Sequence, residues 1–577
     1  MKQNRISVAV ACSRARASFL LFLSSILLLV FGMASAAPRA AAQSTGGRFR
    51  GTVTDNSGAS VSGAKVSLIN EATNAVRDTE TNASGEYLFL EVPVGSYEID
   101  VTSTGFKKYV RKGIPLNLDQ IVGVDVSLQV GGATETVEVS GAPPVIDTTT
   151  TQLGAVMTER SVTELPLSTR NTYELLQLQP GVQSQLGADL FYGSDNPGVV
   201  SVNGGRGRSN NYMVNGGDGN DLFVNGPAIQ PSPDAISEFK VLTNTFDAEY
   251  GRNSGSVVNV VTKSGSNEVH GDFYEFIRND VLNTKGFFDS TVPDYKQNQF
   301  GATIGAPIKK DKTFIFGSYE GNRLREGISS GEVLLPTAAE AGGNFGPGGG
   351  FSGVLTDPNF ATQLANRTTG GGQSCQQAVT AAGGAAIAAG TAYSSIFPGG
   401  VVPTACFDPT ALALYNKYVA PFGTDSFTGS PVESLRDDQF TVRFDHAINS
   451  AQQFSVYYYF DDKDDNEPFS SFQGAGADLP GFGALFRTRV QQWNVGHTWT
   501  LGNSEVNEFR FVYFREGQKD LNHPVNILPS VHDACGSAVP AANCFADPNN
   551  PTAGITANLP GHQGVPFINV SGGFSIG

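Results

Sequence analysis

Along much of the chain, apolar and polar residues alternate with a period of two. Phe440, Val442 and Phe444 alternate with Thr441, Arg443 and Asp445. Trp493, Val495, His497 and Trp499 alternate with Asn494, Gly496 and Thr498. Phe300, Ala302, Ile304 and Ala306 alternate with Gly301, Thr303 and Gly305, and Phe509, Phe511 and Tyr513 with Glu508, Arg510 and Val512. Such a period puts one set on each face of a β-strand. Polar turns pair these strands into hairpins. Lys309-Lys310-Asp311 joins strands expected near 300–308 and 312–320. Asn449-Ser450-Ala451 joins 439–448 to 452–460, and Gly502-Asn503 joins 489–501 to 505–515. The links between hairpins are long, from 321 to 438 and from 461 to 488. Short turns on one side and long loops on the other is the asymmetry of strands that cross a membrane as a barrel. Compact soluble domains seldom carry structureless loops of that length. A soluble sandwich is the alternative with the same period.

The front of the chain is patterned differently. Lys2, Arg5, Arg14 and Arg16 precede an apolar run, Phe19 to Val30, and then Ala34-Ser35-Ala36. This is the layout of a secretory signal peptide over residues 1–36. The run is short for a spanning helix, which needs about 20 residues. From about Gln43 to Gly132, short strands are separated by turn residues. Phe49 to Asp55 ends at Asn56-Ser57-Gly58, Lys65 to Ile69 follows, and Asn82-Ala83-Ser84-Gly85 precedes Glu86 to Leu90. Tyr97 to Val101 and the alternating Val122, Val124, Val126 and Leu128 complete a small β-sandwich.

Composition narrows the function. The 577 residues are 40% hydrophobic and 16% charged, with 68 Gly and 38 Phe, which suits strands and turns. The net charge is −16, without a basic block. Nucleic-acid binding is not expected, because phosphate neutralisation supplies most of that affinity. Beyond the export segment lie Cys375, Cys406, Cys535 and Cys544. In an oxidising compartment two local disulfides are expected, with free thiols as the alternative.

The motifs carry a resemblance. G-T-V-T-D, G-A-K-V-S-L, T-N-A-S-G-E-Y-L-F and V-G-S-Y-E-I-D-V, between Gly51 and Val101, resemble carboxypeptidase regulatory-like domains, which are transthyretin-like sandwiches. No zinc-ligand spacing accompanies them, so a structural or docking module is expected. The linker 133–150 holds Glu135, Thr136, Val137, Glu138 and Val139, which resemble a TonB box, the segment that pairs with the energising protein TonB by strand addition. A last strand of the sandwich is the alternative. Region 151–266 is similar to the plug domain of TonB-dependent transporters. It carries Asn171 before a short helix, Gln179-Pro180-Gly181-Val182, Val202-Asn203-Gly204-Gly205-Arg206 and Tyr212-Met213-Val214-Asn215-Gly216. Tyr250-Gly251-Arg252-Asn253-Ser254-Gly255 and Val257 to Lys263 close it. It departs from the family pattern at Asn215, where Asp is usual, and at Ser256, where Gly is usual. The order resembles the Oar-like group of these transporters. The resemblance implies a mainly β chain: the sandwich, an α+β plug, and over 267–577 the N-terminal part of a transmembrane antiparallel barrel. It also implies TonB, outer-membrane lipid and an unidentified large solute as partners, no cofactor, and Arg206, Arg208, Asn210, Asn215 and Asp218 as plug-loop residues facing that solute.

Other chemistry finds less support. Gly216 to Val224 matches a calcium-binding nonapeptide with Asp218 and Asp221 as ligands, but such turns work in stacks of about three or more. No histidine pair has metal-ligand spacing, and Gly573-Phe574-Ser575-Ile576-Gly577 has no downstream His to make a nucleophile elbow. No enzyme is expected. The run Asp461, Asp462, Asp464, Asp465 is expected to be a solvated outer loop. About eight strands are expected over 267–577 against about 22 in a plugged barrel, so a fragment of a longer transporter is expected. The rival is a secreted or cell-surface β-sandwich protein for adhesion or carbohydrate binding.

Overall fold

The computed structural model describes residues 46–132, 136–139, 152–167, 169–184, 200–222, 225–246, 250, 253–285, 292–347, 351–369, 372–469, 478–502 and 505–519, with short pieces between 546 and 576. All of these but Tyr250 belong to one compact unit. The signal segment and Cys535 and Cys544 lie outside the described residues.

The sandwich has strands β1 (Gly46–Asp55), β2 (Lys65–Asn70), β3 (Val76–Glu80), β4 (Glu86–Pro93), β5 (Gly95–Thr102), β6 (Lys108–Leu116), β7 (Ile121–Gly123), β8 (Val126–Leu128) and β9 (Thr136–Val139). One sheet has the order β4-β1-β7, with β8 also on β1, and the other β3-β2-β5-β6-β9. Alternate residues point inward, so Phe49, Val53, Val66, Leu68, Tyr97, Ile99 and Val101 fill the space between the sheets. The Asn82 side chain accepts the N–H groups of Ser84 and Glu86, and Gly85 takes the left-handed φ that closes this turn. Gly51 lies where a Cβ would meet the Val124 carbonyl at 1.9 Å, which only glycine tolerates.

The second body is a five-stranded sheet of order β10-β15-β16-β13-β14. Its strands are β10 (Leu153–Thr158), β13 (Asn211–Val214), β14 (Gly217–Asp218), β15 (Ile236–Asn244) and β16 (Val257–Thr262), with a separate hairpin of β11 (Val182–Ser184) and β12 (Val200–Val202). β16 is buried along its whole length, since β15 and β13 flank it and both faces are covered. A helix over Glu159–Glu164 is capped by Thr158, and the segment after Asn171 is a 3₁₀ helix, Thr172–Leu178, whose Tyr173 N–H donates to Asn171.

The third body is a seven-stranded antiparallel sheet. It contains β17 (Phe273–Asn279), β18 (Tyr295–Lys309), β19 (Thr313–Gly327), β22 (Val432–Asn449), β23 (Gln452–Glu467), β24 (Ala484–Leu501) and β25 (Glu505–Lys519), in that order. Two short strands, β20 (Val333–Leu334) and β21 (Ser426–Phe427), pair with each other in the loop between β19 and β22. The three hairpins have the expected turns, but the strands run longer than their alternation shows. The long links shrink to 328–431 and 468–483, and among the described residues seven strands form this sheet. The acidic run is not a loop. Asp461, Asp462, Asp464 and Asp465 lie within β23, hydrogen-bonded between β22 and β24. Arg489 is 2.7 Å from Asp462, Arg487 3.3 Å from Asp464, and Lys463 3.3 Å from Asp465. These cross-strand and next-neighbour cations let a charged segment stay extended.

The link 328–431 is folded as well. Helices Pro358–Asn366 and Cys375–Ala381 pack around Leu355, Leu364, Val379, Ile387 and Ile396, a disulfide joins Cys375 to Cys406, and helix Pro409–Tyr418 packs through Leu414 and Tyr418 on Val333, Leu335, Leu479 and Phe482.

Candidate functional site

Six consecutive strands of the wall each touch the plug. Gln299 of β18 donates to the Thr169 carbonyl at 3.1 Å. From β19, Glu320 lies 3.3 Å from the Arg170 guanidinium, which also pairs with Asp234 of the plug. Arg443 of β22 donates to the Thr262 carbonyl at 2.7 Å. On β23, the Tyr459 hydroxyl meets the Gln230 backbone N–H at 3.4 Å. Gln492 of β24 donates to the Asp218 carbonyl at 2.7 Å, and Arg510 of β25 donates to the Asn215 carbonyl. The lumen face of the wall is thus polar, while Ile304, Val442, Trp493, Phe509, Phe511 and Tyr513 face outward and are exposed. This is the inverse of a soluble sheet and the arrangement lipid demands.

Two clusters hold the plug. In the first, Arg170 sits 4.2 Å over the Phe276 ring and 4.7 Å over Tyr274, whose hydroxyl donates to Glu320 at 2.9 Å. Arg170 has a left-handed φ of 59°, which aims its side chain from a turn into the wall. Removing one partner of such a buried pair costs about 3–5 kcal/mol, because the other charge stays buried. No local pattern marks Arg170. Its partners lie in distant segments, and only the fold brings them together.

The second cluster centres on Asn215. Its side chain donates to Thr262 Oγ1 at 2.9 Å and accepts the Thr262 N–H at 3.1 Å. Its carbonyl accepts Asn494 at 2.8 Å as well as Arg510. Asn215 is therefore a brace and does not face a solute. Asn210 is also corrected: it is fully buried, donates to the Val200 carbonyl at 2.7 Å and accepts the Ser256 hydroxyl at 3.0 Å. Polar residues beside glycines look like open loops, but these two satisfy buried backbone groups. The family departures gain a reason. Asn at 215 both donates and accepts, and Ser at 256 binds Asn210.

Arg206 and Arg208 are exposed. The Arg208 carbonyl accepts the Asn225 side chain, which places Arg208 beside the plug segment that includes Asp221, Leu222 and Asn225. Leu222 of that segment donates to Glu516, near the loop-side end of β25, at 3.3 Å. Asp218 accepts the Asn220 N–H at 3.1 Å, and among the described residues no three His, Cys, Asp or Glu gather as metal ligands.

The sandwich meets the plug at β15. Leu118 N–H donates to the Glu238 carboxylate, and Lys240 lies 3.8 Å from the Asp119 carboxylate and 3.4 Å from its carbonyl. Burial pushes the Glu238 carboxyl up to about 7; the Leu118 N–H and Lys240 pull it down, and Asp119 adds to the rise. Thr136–Val139 pair in parallel with Lys108–Arg111 as the outer strand of the sandwich, and Glu135 lies outside the described residues.

A family model described as "Outer membrane beta barrel domain" matches residues 261–577, and one described as "Carboxypeptidase regulatory-like domain" matches 48–129. The "TonB-dependent transporter Oar" of Myxococcus xanthus is 32% identical over 261 residues, which are 41% of this chain and 23% of that protein. Among solved structures, the ferric enterobactin receptor PfeA of Pseudomonas aeruginosa gives a TM-score of 0.36 at 11% identity, over 64% of this chain and 42% of that one. The transporter YddB of Escherichia coli gives 0.34 at 11% identity, over 60% and 37%. The barrel family covers more than half of the chain, and the chain belongs to it. A carboxypeptidase regulatory-like domain stands in front of the barrel, and the protein's place is the outer membrane. The chain spans less than a quarter of the length of Oar.

Proposed function

We propose that the intact protein binds a large solute at its outer loops and the outer side of the plug, and imports it with energy delivered by TonB. The observation that carries this reading is the plug held by six successive strands through polar contacts. Polar contacts can exchange with water, so these ties can be replaced as the plug moves, while its apolar packing on Tyr457, Tyr459 and Val490 must part. Arg206, Arg208 and Asp218 lie on the plug where a solute would arrive, and Glu135 to Val139 serve as the coupling segment. Outer-membrane lipid surrounds the outward aromatic face. No nucleic acid, cofactor or catalytic group enters the scheme, and the Oar relative is named as a transporter.

Capture on the immobilised periplasmic domain of TonB tests the reading. The full-length gene product in detergent should be retained, and Val137→Pro, which removes a backbone donor, should lower retention at least tenfold. Equal retention of both would overturn the assignment of this segment.

A further inference from the structure

The sandwich is fastened to the rest of the molecule differently from the plug. The apolar cluster of the plug continues into the wall through Tyr457, Tyr459 and Val490. The apolar cluster of the sandwich contains sandwich residues only. Polar contacts tie the sandwich to the other bodies. At the plug these are Leu118 N–H to Glu238 and Lys240 to Asp119. At the wall, the Asn74 side chain donates to Asp311 at 3.0 Å, and Asn267 N–H donates to the Ala72 carbonyl at 3.0 Å. Asp311 sits in the short turn between β18 and β19, so the sandwich is docked at the short-turn end, the periplasmic side of a barrel. Beneath it lies a cavity of about 720 Å³, bounded by Leu68 and Tyr97 of the sandwich, Ser237 and Thr262 of the plug, and Arg443 and Arg510 of the wall.

We propose that the sandwich is a latched cap over the periplasmic side of the plug, and that a pull on Thr136–Val139 lifts this cap before the plug moves. The second half rests on the reading of Glu135 to Val139 as the coupling segment. That segment is not a free tether. It is hydrogen-bonded to β6 as the outer strand of a five-stranded sheet, so force applied to it enters the sandwich first. The sandwich resists as one body because its core is apolar and continuous. Its docking contacts are polar, can be replaced by water, and give way first. The plug, with shared apolar packing and the buried Arg170 cluster, yields later. The cavity then becomes a vestibule open to the periplasm. A solute passing the plug would enter this cavity with the sandwich lying across its way to the periplasm.

The experiment uses the full-length protein in outer-membrane vesicles. Ser237→Cys places a thiol on the cavity floor, and a 5-kDa polyethylene-glycol maleimide reports its access, read by mass on the peptide that carries residue 237. Adding Glu238→Ala, Lys240→Ala and Asn74→Ala should speed labelling at least tenfold without any partner. Asn74→Cys with Asp311→Cys should close the cap again under oxidising conditions and reopen it with reductant. Retained heat-modifiable migration shows that each variant is folded. An unchanged rate in the triple-alanine protein overturns the latch. The purified periplasmic domain of TonB should speed labelling of the Ser237→Cys protein at least fivefold. Capture of the domain with no change in labelling overturns the order of events. No capture at all overturns the reading of the coupling segment, while the latch still stands or falls on the alanine arm.

Discussion

The sandwich and the wall are written in the same alphabet and folded inside out. In β5, Tyr97, Ile99 and Val101 turn inward, and Glu98 and Asp100 outward. In β22, Thr441 and Arg443 turn toward the plug, and Val442 turns away from it. Period two is equal in both, so alternation alone does not choose a face. The contents of the enclosed space choose it. Between two sheets only apolar side chains can fill the gap without stranded polar atoms. Around a plug, whose surface is backbone amide and asparagine, polar side chains are needed on the inside and lipid accepts the rest.

The largest test breaks the polar interior. Arg170→Ala should leave the buried Glu320 without its cation and loosen the plug by about 3–5 kcal/mol. Hydrogen exchange at Thr172–Leu178 should accelerate by two or more orders of magnitude in the full-length protein. Arg170→Lys should recover only part of this protection, because a lysine keeps the charge but loses the planar stacking over Tyr274 and Phe276. Unchanged exchange in the alanine variant would mean that the plug is held elsewhere.

The next test exchanges the rules of the two sheets. Phe511→Arg puts a charge on the outward face of β25, where midplane arginine costs about 2–4 kcal/mol. Folded yield in bilayers should fall accordingly. The matching change on the outward face of the sandwich, Asp78→Arg, should cost about 1 kcal/mol, since it loses the exposed pair with Lys65 and the exposed hydrogen bond from the Ser67 hydroxyl. Equal costs by urea titration in vesicles would mean that both faces see water.

The two sheets were unequally legible in the sequence. Hairpins showed wherever alternation met a short polar turn, as at Lys309 to Asp311. Past about residue 460 on β23 the alternation fails, because Asp461 to Asp465 put charges on both faces, and the strand continues only through its neighbours. The folded loop was hidden by its Gly and Ala content. Its capping boxes, Thr337 with Glu340 and Ser374 with Gln377, were the available local signal. For the site, residue type was informative and orientation was not. Asn215 does take a left-handed φ of 48°, as a loop asparagine would, but its side chain faces Thr262. Arg170 and Glu320 pair across segments that share no local pattern.

The junction between the two sheets gives a pH test. The docked Glu238 carboxyl, facing Asp119 and Lys240, has its pKa raised from 4.5 to about 7. The docked state therefore holds the proton more tightly than the released state. The proton-linked gain in docking is complete below about 4.5 and is lost as pH rises through 7. Access to the Ser237→Cys thiol, read as its labelling rate relative to that of an exposed cysteine at the same pH because the thiolate is the reacting form, should increase from pH 5 to pH 8, by up to about a hundredfold. In the Glu238→Gln protein this dependence should flatten. A slope that persists in Glu238→Gln would assign the titration to another group.

The smallest test concerns one atom of the brace. Asn215→Asp restores the residue usual in the resembling plugs, and it replaces an amide donor by a carboxylate oxygen. The bond to Thr262 Oγ1 can reverse, because a hydroxyl can donate as well as accept. The Thr262 N–H keeps its acceptor, and Arg443, 3.5 Å from the side-chain oxygen, gains a charged partner. Loss and gain are each about 1 kcal/mol, so the net change in plug stability should stay within about 1 kcal/mol. Asn215→Leu keeps the bulk, removes both hydrogen bonds and leaves the Thr262 amide buried without its acceptor, at about 1–3 kcal/mol. Exchange at β16 should therefore rank wild type and Asn215→Asp together and Asn215→Leu well below them. If Asp instead fell as far as Leu, the amide donor itself would be what the wall requires at this position, and the asparagine would be tied to the Arg443 and Arg510 surroundings of this particular wall.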